Sequence, residues 1–306
     1  MRIAIIGAGG VGGYFGSRLI AAGEDVTFIA RGTHLDAIRR GGLRIDSPKG
    51  HLHLRDVRAT SDVATVGTAD VVLITVKMYD FETAAALLSP LIGANTVVIT
   101  LQNGVEAVDI ASRHVGREHV AGGVAYIAAV IAEPGLIRHT SMDSLIFGEL
   151  DGRRSDRLAA LEAACLRAGF SARVSENIDV DLWAKFARLS VFSGMTAVTR
   201  SPIGVLRDDP DLFAMLRAAC EETIAVARAR GVRLPDAIMT DIVQMVTSLP
   251  HQAKASMLED LERGRRLELP WLSGAVVRLG KEAGVPTPIH AFIATVLKPH
   301  AGGAHP

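Results

Sequence analysis

Residues 2–31 read "RIAIIGAGGVGGYFGSRLIAAGEDVTFIAR", and the order of patterns inside this stretch decides the fold. "RIAII" is a short apolar run rich in isoleucine, as in a strand buried on both faces. "GAGGVG" follows at once. A helical stretch then runs through "GGYFGSRLIAAG" to Gly23, and "EDVTFIAR" returns to strand character. Strand, glycine turn, helix and strand within about 30 residues form the setting in which a GxGxxG pattern binds a dinucleotide. Gly7 permits the tight turn, Gly9 lets backbone approach a pyrophosphate, and Gly12 lets the helix pack close to the strand. Ala8, Gly10 and Val11 complete the loop. The helix start offers free N–H groups and a positive dipole end to the phosphates.

The end of the second strand bears on which dinucleotide is held. A site for NAD usually has a carboxylate there, on the ribose 2′-hydroxyl. This chain has Ala30 and Arg31. A guanidinium can grip a 2′-phosphate with two hydrogen bonds where a carboxylate would repel it, so NADP(H) is the expected cofactor.

Further strands are expected in "ADVVLITVK" (69–77) and "NTVVITLQNG" (95–104). Ligands of open α/β sheets sit beyond the carboxyl ends of strands, which makes Lys77 and Asn103 site candidates by position. "GLRIDSP" and "HLHLRDVRA" alternate apolar and polar residues, the mark of a β-hairpin. "EHVAGGVAYIAAVI", "GLIRHT" and "SLIFGEL" read as separate strands, "RSDRLAALEAACLRAG" as an amphipathic helix, and "FSARVS" as a last short strand.

After residue 176 strand signals stop. "DPDLFAMLRAACEETIAVARARG", "PDAIMTDIVQMVTSL", "KASMLEDLERG", "PWLSGAVVRLGKEAG" and "PIHAFIATVLK" all read as helices punctuated by Pro or Gly, with one opening at Pro270. The expected architecture is an α/β Rossmann-type N-terminal domain, residues 1–176, followed by an all-α C-terminal domain, residues 177–306. The tail "PHAGGAHP" is expected to be disordered, and its two histidines are too few for a metal tract.

Composition excludes several classes. Thirty-three basic residues balance 33 acidic ones in 306, which leaves no global field to attract nucleic acid or an anionic membrane. The apolar run in "MRIAIIGAGG" is too short for a signal peptide, and "VAGGVAYIAAVIA" from Val120 is too short for a membrane span. Cys165 and Cys220 stand alone, without the spacing of a zinc site, and suit a reduced, cytoplasmic setting.

One residue in the helical half is out of place. In "LWAKFARLSVFSGMT" (182–196), Lys185 falls on the same helical face as Leu182, Leu189 and Phe192. Either its stem lies on that face and its head snorkels to water, or the face meets a ligand and the ammonium works there.

Several motifs in order resemble the ketopantoate reductase (2-dehydropantoate 2-reductase) family: the glycine motif through "FIARG", "VK" at 76–77, "LQNG" at 101–104, "LWAKF" at 182–186, and "SMLEDLERGRRLELPWLSGAVVRLGKEAGVPTP" at 256–288. The resemblance runs from Met1 to Lys298. It implies NADPH-dependent reduction of a 2-keto acid, with ketopantoate and pantothenate biosynthesis as the leading expectation. It makes Lys185 the general acid, Asn103 a residue lining nicotinamide and substrate, and Lys77 a neighbour of both. Glu268 would contact the substrate and the lysine, and Ser256 would hydrogen-bond substrate. Burial among apolar residues would lower the lysine pKa and help it donate its proton.

The substrate side departs from the family pattern. Asparagines are usual four and eight residues after the lysine; here they are Leu189 and Ser193, still expected to face substrate. Two further asparagine positions hold Ile203 and Ala253. Lys254 or Arg200 could replace a contact to the substrate carboxylate. A reductase or dehydrogenase of another small keto or hydroxy acid is therefore an alternative. A non-catalytic NADP(H)-binding regulator is another, although a sensor has no need of Lys185 and Glu268. A homodimer through the helical domain is possible.

Overall fold

The computed structural model describes residues 1–304. The chain divides into two compact units, Met1–Gln102 with Glu106–Asp181, and Asn103–Val105 with Leu182 onward.

The first unit contains β1 (Arg2–Ile6), α1 (Gly10–Ala21), β2 (Asp25–Ile29), α2 (Gly32–Gly41), β3 (Leu43–Asp46), β4 (Leu52–Leu54), β5 (Arg58–Thr60), β6 (Val71–Ile74), α3 (Met78–Ala85), β7 (Val97–Thr100), α4 (Ala107–Val115), β8 (Val120–Glu133), β9 (Leu136–Glu149), α5 (Asp156–Arg167) and β10 (Ser171–Val174). The sheet runs β4-β3-β9-β8-β7-β6-β1-β2-β5, with β10 on β9. Strands β7, β6, β1, β2 and β5 are mutually parallel. β1 lies inside this run, and Ile3, Ala4, Ile5 and Ile6 are all buried. A strand covered on both faces has no polar face to alternate, which is why "RIAII" is continuously apolar. The parallel register places the carboxyl ends of β1, β2 and β6 along one edge, where Gly7, Arg31 and Lys77 follow.

Two local expectations for this unit are corrected. "GLIRHT" and "SLIFGEL" are one strand, β9, paired antiparallel with β8 along its length. The intervening residues stay in the ladder through register shifts near Ile127 and Ala129. "HLHLRDVRA" splits: β4 closes the hairpin with β3, while β5 leaves it to pair in parallel with β2. The division into compact units falls at Asp181–Leu182, within α6 (Ile178–Thr199), a few residues beyond the expected boundary at 176–177.

The second unit continues with α7 (Ile203–Asp208), α8 (Pro210–Ala229), α9 (Ile238–Ser248), α10 (Ser256–Glu262), α11 (Ser273–Glu282) and α12 (Pro288–Leu297). Asp209 caps α8, accepting from the backbone N–H of Asp211 and Leu212, and Pro210 takes the first position, where no N–H is needed. Glu222 of α8 accepts from the N–H groups of Ile289 (2.8 Å) and His290 (3.0 Å) at the start of α12. His290 is bonded to Thr223 at 2.9 Å, and burial pulls its imidazole down to about 4, so it stays neutral at physiological pH. No helix opens at Pro270: Leu269–Trp271 is a single 3₁₀ turn and α11 starts at Ser273. The tail is also corrected over its described part. Ala301 accepts from the N–H of Leu267, and Ala304 donates to Gly264, which holds this segment on the turn after α10. Residues 305–306 lie outside the described residues, and with them one of the tail's two histidines.

Candidate active site

The glycine loop is built by close backbone approach. Gly7 sits at φ +104°, a conformation open to glycine and strained for other residues. A Cβ on Gly12 would lie 2.1 Å from the carbonyl oxygen of Gly7, so only glycine lets α1 begin this close to the loop. Gly10 is equally constrained, because its Cβ would lie 2.0 Å from the carbonyl oxygen of Ala129 on β8. Gly9 has nothing within 4 Å of a Cβ, so the loop is open there. Gly9 is the N-cap of α1 and supplies no side chain, and the first turn carries no acidic residue. The first N–H groups of α1, at Gly10, Val11 and Gly12, therefore have no capping side chain, the arrangement that suits an anionic ligand. Ala8 is buried, with its carbonyl turned to His34.

Two braces of this loop were not evident from the sequence. The Thr75 hydroxyl, just after β6, donates to the Gly7 carbonyl at 2.6 Å. His34 of α2 bonds through Nε2 to the Ala8 carbonyl at 2.8 Å, and its Nδ1 accepts from the N–H of Gly135 at 3.1 Å. A carbonyl cannot donate, so Nε2 carries the proton and Nδ1 is the acceptor. Burial holds the His34 pKa below its ordinary value, which favours this neutral form. No signal in "RGTHLDAIRR" separates His34 from an ordinary helix residue, because its partners lie 26 and 101 positions away.

Arg31 follows β2 as the N-cap of α2, with no side-chain cap. Its side chain is 78% exposed and ion-paired with Asp80 of α3 at 2.6 Å. Lys77 is the N-cap residue of α3, half-buried at the end of β6. Gln102 is buried after β7 and donates to the carbonyls of Ile74 (2.8 Å) and Val76 (3.0 Å), tying that strand end to the segment that bears Lys77.

In the second unit, three candidates meet. The Lys185 ammonium of α6 donates to Asn103 Oδ1 at 3.0 Å. Asn103 Nδ2 donates to Glu268 Oε2 at a longer 3.4 Å. The amide thus links the cation to the carboxylate and is oriented by both. The backbone permits this because Gly104 sits at φ +103°, where a Cβ would come 2.9 Å from the carbonyl oxygen of Trp271. Glu268 is buried, while Lys185 is half-buried beside buried Leu182. Desolvation pulls the Lys185 ammonium down to about 8, with Arg188 acting in the same direction, while the Glu268 carboxylate opposes the shift. The snorkelling alternative fails in its simple form, because the head is engaged by Asn103 and partly desolvated.

The remaining positions divide. Leu189, one turn beyond Lys185, is half-buried, and Ser256 is exposed at the start of α10. Ser193 is completely buried, and its hydroxyl has no hydrogen-bond partner among the described residues. Ile203 is also fully buried. Lys254 pairs with Glu262 at 2.6 Å, which engages the charge expected to serve a substrate carboxylate. Among the described residues no three His, Cys, Asp or Glu side chains group as metal ligands, and no helix is long and apolar enough to cross a membrane.

Comparison with known proteins gives consistent matches. The family model described as ketopantoate reductase PanE/ApbA matches residues 3–152, and the model for the C-terminal part of that family matches residues 177–301. A 2-dehydropantoate 2-reductase of Mesorhizobium japonicum is 34% identical, over 97% of each chain. A PanE/ApbA family ketopantoate reductase from Ralstonia eutropha JMP134 superposes with a TM-score of 0.91, at 34% identity over 98% of each chain. D-mandelate dehydrogenase, solved with NADH and anilino(oxo)acetate, gives a TM-score of 0.89 over 98% of each chain, but at 21% identity the likeness is one of fold.

Proposed function

This chain belongs to the ketopantoate reductase family of oxidoreductases, and we propose that it reduces a 2-keto acid to the 2-hydroxy acid with NADPH, using Lys185 as the general acid. The observation that carries this reading is the Lys185–Asn103–Glu268 chain. Reduction of a ketone builds negative charge on its oxygen. A cation beside that oxygen stabilises the charge and then gives up a proton. With a pKa near 8, Lys185 is mostly protonated at neutral pH and is a stronger acid than an ordinary lysine. Asn103 holds the ammonium, and the buried Glu268 carboxylate keeps it charged.

The cofactor fits the first unit. The uncapped start of α1 and the open position at Gly9 suit a pyrophosphate. The exposed Arg31 guanidinium stands at the start of α2, which also lacks a side-chain cap and has no acidic residue in its first turn, and both features suit a 2′-phosphate. Lys77 and Asn103 are the expected neighbours of the nicotinamide. When bound, the reduced nicotinamide supplies the hydride that adds to the keto carbon.

Ketopantoate is the reference substrate, because relatives carry that activity in their names. Leu189 favours a second reading, a 2-keto acid with a more apolar side chain, since leucine cannot bond the substrate hydroxyl. Ser256 is exposed and remains the candidate hydroxyl contact to substrate. Steady-state NADPH oxidation with ketopantoate and a series of alkyl 2-keto acids tests both readings. Turnover of at least one 2-keto acid is expected. No oxidation with any member of the series would refute the reductase reading.

A further inference from the structure

Arg31 is not alone at the end of β2. Its guanidinium is already engaged at 2.6 Å by Asp80, the third residue of α3, whose carboxylate is 31% exposed. Both residues belong to the first unit, and both follow strand ends on the same edge of the sheet, β2 for Arg31 and β6 for Asp80. We propose that Asp80 is a specificity-determining residue for the dinucleotide: its carboxylate competes with a 2′-phosphate for Arg31 and so weakens the preference for NADPH over NADH. The inference rests on the reading of Arg31 as the 2′-phosphate ligand.

The chemistry follows from the pair. A phosphate reaching Arg31 must displace Asp80 or share the guanidinium with it, and sharing places a carboxylate next to a dianion. A ribose 2′-hydroxyl meets no such cost, because it is a donor that Asp80 can accept. The two residues thus carry both recognition devices at one place, a guanidinium for a 2′-phosphate and a carboxylate for a 2′-hydroxyl. Because the pair is largely exposed, water screens it, and the effect is moderate: about three- to tenfold in the affinity ratio, the scale of one solvated charge pair.

The test uses dissociation constants of NADPH and NADH, read from cofactor fluorescence, for the full chain and its Asp80→Asn, Asp80→Ser and Arg31→Ala variants. Thermal melting confirms that each is folded. Asp80→Asn and Asp80→Ser are expected to raise the NADPH-to-NADH affinity ratio about three- to tenfold, mainly through tighter NADPH. Arg31→Ala is expected to lower it. If both Asp80 variants keep the wild-type ratio within error while Arg31→Ala lowers it, the role of Asp80 is overturned and that of Arg31 stands. If Arg31→Ala also leaves the ratio unchanged, both are overturned.

Discussion

Replacing Lys185 with methionine keeps the stem and deletes the charge. Activity should fall about 10²- to 10⁴-fold in turnover, the usual contribution of a positioned general acid. Stability should respond differently. The ammonium lies about 2.5 units below its ordinary 10.5, and at about 1.4 kcal/mol per unit this corresponds to roughly 3 kcal/mol against holding the charge in the fold. Methionine removes that net cost, in which the attraction of Glu268 is already included, but strands Asn103 Oδ1, an offset of about 1–3 kcal/mol. The variant should therefore fold with a stability within about 2 kcal/mol of wild type at neutral pH.

The pH dependence carries the sign. A lysine whose folded pKa is depressed imposes its full cost below about 8, and the cost fades as pH rises toward 10.5, where the unfolded chain also loses the proton. The stability of Lys185→Met relative to wild type should thus decline by about 2–3 kcal/mol between neutral pH and pH near 10.5. Urea unfolding of both proteins across that range measures the difference, and titrations common to both cancel. A flat difference would show that Lys185 is solvated in the folded chain. Turnover retained in the variant would refute its role as acid.

Other expectations concern neighbouring residues. Glu268→Gln should lower turnover with little change in dinucleotide affinity, and should move the alkaline fall in kcat/KM to lower pH, because the carboxylate opposes the downward shift of Lys185; a pH–rate profile reads both effects. Leu189→Asn should raise kcat/KM for ketopantoate relative to an alkyl 2-keto acid by about two- to tenfold, the worth of one neutral hydrogen bond. Ser193→Asn should instead cost about 1–3 kcal/mol of stability without improving either substrate, because it overfills an enclosed position; denaturant unfolding and rates on the two substrates decide it. His34→Leu should weaken dinucleotide binding several-fold while leaving kcat at saturating cofactor nearly unchanged, and His34→Gln, which can still donate and accept, should recover much of the loss; fluorescence titration checks both.

What could be read from the sequence, and what could not, follows from the range of each interaction. The βαβ unit at 2–31 was legible because every signal in it is local: apolar runs, glycine spacing and a helix of fixed length. Lys185 was legible as an anomaly on its own helix face, but its partners were not. Asn103 is 82 residues away and Glu268 lies 165 beyond Asn103, so only the family pattern joined them. Thr75, His34 and Asp80 stayed hidden for the same reason, since each acts on a residue of a different strand or helix. The complete burial of Ser193 was not legible, because position on a helix gives a direction and not the depth of what packs there. The merged strand β9 was missed because pairing with β8 spans irregular register, which no alternation in the sequence announces.

The central claim is hydride addition from a nicotinamide to the keto carbon with protonation by Lys185, and following the hydride itself tests it most directly. The enzyme is incubated with NADPH deuterated at C4 on the transferred face and with the 2-keto acid it turns over fastest, and the product is examined by mass spectrometry and proton NMR. The account predicts a 2-hydroxy acid carrying one deuterium at C2, formed by wild type and strongly depleted with Lys185→Met. Unlabelled product, or labelled product formed at the wild-type rate by Lys185→Met, would contradict it.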